Sequence, residues 1–130
     1  MRSVATMLMF TGRAQEALEF YRSVFPSFEL LQMDRWRPEG SGPDGIVKRA
    51  DFRIAGHELM CFDSHIAHEF TFTPSLSLFI ECESEEEQQR LYDRLSANGT
   101  VLMAMDNYGF SRRFAWVSDR FGVSWQLNLQ

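Results

Sequence analysis

With 130 residues, the chain has room for one domain, or for two small modules sharing a core. Its 45% hydrophobic content is ordinary for a globular protein, while 12 Phe and 3 Trp favour bulky packing or an aromatic-lined pocket. A formal net charge of -5 argues against nucleic acid as a partner, and no apolar run approaches the ~20 residues of a membrane span. The start, Met1-Arg2-Ser3-Val4, lacks the apolar region of a secretory signal, so a soluble cytoplasmic protein is expected.

In chain order, an apolar strand over 4–10 runs into an amphipathic helix over 14–25. That helix carries Ala14, Ala17, Leu18, Tyr21 and Val24 at helical spacing, a stripe wide enough to lie on a sheet, and Pro26 stops it. The segment Arg37-Pro38-Glu39-Gly40-Ser41-Gly42-Pro43-Asp44-Gly45 reads as a mobile loop. Three strand-like segments complete the first half, the last pair turning at Ala55-Gly56 and ending at Cys61-Phe62-Asp63. From Ser75 the order restarts, with a strand over 75–83 and a helix over 85–95. Ser84 and Glu87 have capping-box spacing, and Asn98-Gly99 closes the helix with residue types that tolerate a left-handed backbone. Arg120-Phe121-Gly122 is the turn before a final strand over 123–129. The two helices share a register, Phe20-Tyr21 in one matching Leu91-Tyr92 in the other. A repeat holding four strands and a helix implies a duplicated module, with modules at about 1–66 and 74–130 of a single domain over 1–130. Two such sheets can curve around a shared cleft.

Strand alternation separates two faces. Leu76, Leu78 and Ile80 oppose Ser77, Phe79 and Glu81; Trp125, Leu127 and Leu129 oppose Ser124, Gln126 and Asn128. In the first strand Met7 and Met9 oppose Thr6, Leu8 and Phe10. The uniformly apolar face is expected to take the helices, and the face mixing small polar groups with Phe10 and Phe79 to line a partly wet pocket. Cys61 and Cys82 fall in expected strands and read as packed thiols, with no electropositive neighbour to activate a thiolate.

The segment Phe114-Ala115-Trp116-Val117-Ser118-Asp119-Arg120-Phe121-Gly122-Val123-Ser124-Trp125-Gln126-Leu127 resembles the closing hairpin of the PhnB-like branch of the glyoxalase/bleomycin-resistance superfamily, the vicinal oxygen chelate proteins. Met9-Phe10-Thr11-Gly12-Arg13-Ala14, Ala17-Leu18-Glu19-Phe20-Tyr21, Val24-Phe25-Pro26, Gly42-Pro43-Asp44-Gly45 and Ser75-Leu76-Ser77-Leu78 resemble the same branch, so the match runs along the whole chain. The resemblance implies an α+β fold of two βαβββ modules, each a curved mixed sheet, around a cleft, and a homodimer. The branch is often labelled demethylubiquinone methyltransferase-like, yet the chain has no Gly-rich strand-to-helix turn for a nucleotide.

Enzymes of that superfamily hold a divalent metal with His, Gln or Glu from the first and last strands of each module. By resemblance Thr6, Ser77 and Gln126 stand at three of those positions and Met60 or Cys61 at the fourth. That is a poor ligand set for a hard or borderline ion, so no metal and no cofactor is expected. Asp63-Ser64-His65-Ile66-Ala67-His68-Glu69 has ligand residue types, but reads as an exposed connector, and His57 as a surface residue of a turn. The acidic run 81–87 reads as a solvated helix start. Asp51 and Arg53 either bind a polar ligand or pair with each other on a wet sheet face. Asp106 and Tyr108 stand in a loop that is either a lid over the cleft or a simple connector. No nucleophile elbow is present.

These readings favour a metal-free protein that binds an unknown small molecule, with Thr6, Phe10, Cys61, Asp63, Ser77, Phe79, Tyr108 and Gln126 as candidate pocket residues. Two alternatives stand beside it. One is an enzyme of the same superfamily, of lyase, dioxygenase or transferase type, with a rearranged or unrecognised metal site that recruits Cys61, Asp63 and Gln126. The other is a dimeric scaffold with a vestigial cleft.

Overall fold

A computed structural model describes residues 1–36 and 46–130; the loop expected at 37–45, with Gly42-Pro43-Asp44-Gly45, lies outside the described residues. The chain forms two compact units, Met1–Glu69 and Phe70–Gln130. The first contains β1 (Thr6–Phe10), α1 (Ala14–Val24), β2 (Glu29–Arg35), β3 (Val47–Ile54) and β4 (His57–Asp63). The second repeats the order with β5 (Ser77–Glu81), α2 (Glu85–Ser96), β6 (Thr100–Asp106), β7 (Arg113–Ser118) and β8 (Ser124–Leu129). The sheet orders are β1-β4-β3-β2 and β5-β8-β7-β6. In each sheet the first strand lies parallel to the last and the remaining pairs are antiparallel. The fold is therefore the expected α+β pair of βαβββ modules, each with a four-stranded mixed sheet. No helix among the described residues is long and apolar enough to cross a membrane.

The two helices start by different means. At α2 the cap is local: Ser84 Oγ accepts the Glu87 N–H at 3.1 Å, and Glu87 Oε1 accepts the Glu83 N–H at 2.8 Å. At α1 the preceding residue, Arg13, gives no side-chain cap. The first turn is instead held by Asp63 at the end of β4, whose Oδ1 accepts from Gly12 N at 2.8 Å and Ala14 N at 3.0 Å. Its Oδ2 accepts from Val47 N at 2.9 Å, so one buried carboxylate ties β4, β3 and α1 together. Asp119 does comparable work at the β7–β8 turn: Oδ1 accepts from Phe121 N at 2.9 Å and Val123 N at 3.1 Å, and Oδ2 accepts from Trp125 Nε1 at 2.9 Å.

Two turns depend on backbone shape. Ala55 and Gly56 both take positive φ, 50° and 81°, the tight two-residue hairpin that matches strand twist. Gly99 follows Asn98 at φ 61°, and a Cβ on Gly99 would meet Ser118 O at 2.2 Å, so the chain passes too closely there for any side chain.

Some boundaries depart from the sequence reading. α1 ends at Val24, with Phe25 N–H donating to Tyr21 O, and β5 is confined to Ser77–Glu81. Cys82 therefore lies just beyond β5 rather than in a strand, its N–H donating to Asn128 O at 2.8 Å. Residues 64–76 form an irregular connector with no helical turn to bring His65 and His68 together.

A helix-free sheet face as the candidate site

The face each helix covers follows from its polar ties. Asp63 carries the start of α1, so the face bearing Leu59, Cys61 and Asp63 is the helix side of the first sheet. Ladder partners share a face, which adds Thr6, Leu8 and Phe10 from β1 and Ala50 and Phe52 from β3. The expectation for β1 is thereby reversed. Leu8 and Phe10 are buried, whereas Met7 is 48% exposed. Thr6 reaches along the same helix side to His57, with Oγ1 3.0 Å from Nε2. Four expected pocket residues, Thr6, Phe10, Cys61 and Asp63, thus belong to the helix side of the sheet. Both faces of β1 are largely apolar, so its alternation gave the correct pairing of residues but no reliable sign.

The other face of the first sheet carries Met7 and Met9 from β1, Met60 and Phe62 from β4, and Asp51 and Arg53 from β3. Met7 and Met60 are ladder partners on this face, while Cys61 lies with Thr6 on the other. Asp51 and Arg53 do not pair with each other: Arg49 Nε donates to Asp51 Oδ1 at 2.9 Å, and Arg53 meets Glu58 at 3.4 Å.

In the second sheet, Arg113 shares its face with Leu129 and reaches Gln89 and Glu85 of α2. The face of Trp125, Leu127 and Leu129 is therefore the helix side, and Ser77, Phe79 and Gln126 share the opposite one. The ladders set this helix-free face in three rows: Ser77–Ser124–Ser118–Thr100, Phe79–Gln126–Trp116–Met103 and Glu81–Asn128–Phe114–Asp106. A hydrogen-bonded chain crosses the rows. Trp116 Nε1 donates to Ser124 Oγ at 2.8 Å, Ser124 and Ser77 hydroxyls lie 2.6 Å apart, and Gln126 Nε2 donates to Ser77 Oγ at 3.2 Å. Asn128 Nδ2 donates to both Glu81 oxygens, at 2.9 and 3.1 Å. Ser124 and Asn128 are only 3% and 4% exposed, while Phe79 beside them is 56% exposed.

Tyr108 lies past β6 in a ring cluster, stacked on Phe110 with centroids 6.2 Å apart, while Phe110 meets Phe114 edge-on at 5.0 Å. Its hydroxyl donates to Ala104 O at 2.5 Å. The sequence reading omitted Trp116, although the alternation Phe114, Trp116, Ser118 in β7 carries the signal.

Among the described residues no group of three or more His, Cys, Asp or Glu could hold a metal ion. The ladder pairs on the helix-free faces of the first and last strands are Met7–Met60, Met9–Phe62, Ser77–Ser124, Phe79–Gln126 and Glu81–Asn128. They offer thioethers, hydroxyls, amides and one carboxylate, with no imidazole, so the superfamily's metal centre does not fit these residues. His65 instead packs edge-on against Trp36, and His68 Nε2 lies 3.0 Å from Ser64 Oγ. An open depression of about 560 Å³ alongside α2 is walled by Glu85, Glu86, Arg90, Asp93 and Arg94 of the helix and by Arg113 of β7, an alternation of charge that reads as solvated surface.

The family described as 3-demethylubiquinone-9 3-methyltransferase matches residues 2–128. The chain belongs to that family, the PhnB family. Protein YjdN of Escherichia coli (strain K12) is 32% identical over 135 residues, covering 94% of this chain and 91% of its own. A putative 3-demethylubiquinone-9 3-methyltransferase, PhnB protein, from Bacillus cereus is 43% identical, with a TM-score of 0.94 over 99% of this chain and 100% of that one. At the level of fold alone, the PhnB-type chain also matches the fosfomycin resistance protein FosX of Listeria monocytogenes, at 14% identity and a TM-score of 0.65 over 98% of this chain and 92% of that one.

Both thiols are buried and free. Burial, then the Asp63 and Asp51 carboxylates, pushes the Cys61 thiol up to about 12. Burial, with Glu87 and Glu81 adding and the Asn128 backbone bond opposing, pushes Cys82 up to about 11. A thiol held protonated in the fold but ionising near 9 in the unfolded chain makes the unfolded state the weaker proton binder above pH 9. Stability from Cys61 is therefore complete below pH 9 and declines toward pH 12, with a limiting slope of about 1.4 kcal/mol per pH unit. Urea midpoints at pH 8, 9.5 and 10.5 are expected to fall more steeply for the native chain than for Cys61→Ala. Parallel pH dependences would remove Cys61 as a cause.

Proposed function

We propose that this chain is a metal-independent small-molecule-binding protein, acting as a homodimer, whose ligand docks on the helix-free face of the second sheet. The observation carrying the reading is the chain Trp116–Ser124–Ser77–Gln126. Its polar side chains are mutually bonded and already oriented, beside an apolar ring that remains exposed. Pre-oriented polar groups within an apolar wall are what a small ligand needs for both affinity and orientation. Methyl transfer, named in the family's description, is not part of the proposal, because the chain lacks a Gly-rich nucleotide turn.

A fragment library screened by nitrogen-15 NMR tests the reading, with sedimentation giving the mass to which stoichiometry refers. Bound fragments are expected to move the Trp116 indole and the Gln126 and Asn128 side-chain amides. Purified protein is expected to carry no stoichiometric Zn, Ni, Mn or Fe and to show no thermal shift with them. A stoichiometric metal with a large specific shift would replace this reading with a metalloenzyme.

A further inference from the structure

We infer that the ligand of this face presents a hydrogen-bond-donating cation, an organic ammonium group, to Glu81, with an apolar body against Phe79. The inference rests on the reading of the second sheet as a ligand face and adds the chemical class of what binds there.

The acidic charge and the polarity of the hydrogen bonds beside Glu81 carry it. There the Trp116 and Asn128 N–H groups bond within the face. The single Trp116 N–H is spent on Ser124, and the Asn128 amide spends its Nδ2 on Glu81. Gln126 gives an Nε2–H to Ser77. Gln126 Oε1 and Asn128 Oδ1 take no hydrogen bond among the described residues. Glu81 meets no Lys, Arg or His there. Gln126 keeps a second Nε2–H and the Ser118 and Thr100 hydroxyls stand in the far row, but beside Glu81 the groups left open are acceptors, which complements a ligand that donates.

Charge and shape narrow the class. Glu81 is exposed, yet both its oxygens are held by the buried Asn128 amide, so the carboxylate is positioned rather than waving in solvent. Phe79 lies two residues earlier on the same strand and face, about 7 Å away along a β-strand. A carboxylate and an exposed ring at that spacing can flank one ammonium group, combining a charge-assisted hydrogen bond with attraction to the ring face. Asp106 stands in the same row two strands beyond Asn128, adding negative potential at that end of the sheet. The charged residues of the three rows, Glu81 and Asp106, are both acidic, and no Lys, Arg or His stands among them to favour an anionic ligand.

The test uses the full chain and three probes of matched shape: phenethylammonium, 2-phenylethanol and 3-phenylpropionate. Binding is read at the Asn128 side-chain amide and the Trp116 indole, at constant ionic strength, for the native chain and Glu81→Gln. Glutamine keeps an oxygen for Asn128 and leaves an exposed position, so the fold is expected to persist, checked by unchanged amide spectra elsewhere. Phenethylammonium is expected to bind at least fivefold tighter than the neutral alcohol and the acid weakest, with Glu81→Gln removing the preference. If all three probes move the same signals with equal affinity, or Glu81→Gln leaves the order unchanged, the cation preference is wrong while the ligand face stands. If no probe moves either signal, the ligand face itself falls, and this inference with it.

Discussion

Replacing Asp63 by Ala is expected to cost about 3–5 kcal/mol of unfolding free energy, measured by urea denaturation, among the largest effects of any single substitution outside the apolar core. The side chain is 1% exposed, and its two oxygens accept three backbone N–H groups, from Gly12, Ala14 and Val47. Alanine leaves all three donors without the carboxylate, and each unsatisfied buried donor carries a penalty of about 1–3 kcal/mol, reduced where water can enter. Asp63→Asn is expected to recover only part of this. An amide has one accepting oxygen, so either the Gly12–Ala14 pair or Val47 would face an NH₂ group. A loss below about 1 kcal/mol would mean that these amides are re-solvated cheaply and that Asp63 is not the tie between α1 and the sheet. Loss of ligand binding with native stability would return Asp63 to the pocket residues among which its position at the end of β4 first placed it.

Asp63 also shows where sequence reading reached its limit. The duplication, both helices and the two hairpin turns were legible because each is a local signal: apolar spacing, Pro26, Asn98-Gly99, Ala55-Gly56, Arg120-Phe121-Gly122; the mixed sheets followed only from the family resemblance. The cap of α2 was legible for the same reason, Ser84 and Glu87 lying three residues apart. The cap of α1 was not, since its carboxylate is 49 residues from the N–H it accepts at Ala14. The candidate face divided along similar lines. In β5 and β8 the polar and apolar faces differ sharply in composition, and Ser77, Phe79 and Gln126 fell on one side as the alternation implied. In β1 Met7 and Met9 are as apolar as Leu8 and Phe10, and only the ladder to β4 and the tie from Asp63 to α1 fix which side is buried. Glu81 was absorbed into an acidic helix start in sequence terms. Its role beside Asn128, 47 residues away, needs the parallel pairing of β5 with β8.

The second large effect is expected at Asp119, and it gives physical content to the closing hairpin through which the family resemblance is strongest. Its Oδ1 gathers the Phe121 and Val123 N–H groups into the turn, while Oδ2 holds the Trp125 indole across the hairpin. The backbone adds Asp119 N–H to Val123 O at 2.8 Å and Gly122 N–H to Asp119 O at 2.9 Å. Asp119→Ala is expected to cost about 3 kcal/mol, since it strands two turn donors and a buried indole N–H together. Trp125→Phe is expected to cost about 2–3 kcal/mol through lost packing and the lost bond. Because the residues share a bond, the costs should not add: in a double-mutant cycle by urea denaturation, the pair should fall short of the sum by about 1–2 kcal/mol. Asp119→Asn separates the two roles, for an Asn oriented to keep the turn donors on its oxygen turns its NH₂ toward the indole N–H. If the cycle closes with no coupling, Asp119 acts through the turn alone. Trp125, the buried residue next to Ser124 and Gln126 on β8, would then be held by packing rather than by its carboxylate. Full coupling instead makes the closing signature one unit: the carboxylate shapes the turn, fixes the indole on the helix side, and so fixes the strand that carries Ser124, Gln126 and Asn128 on the other.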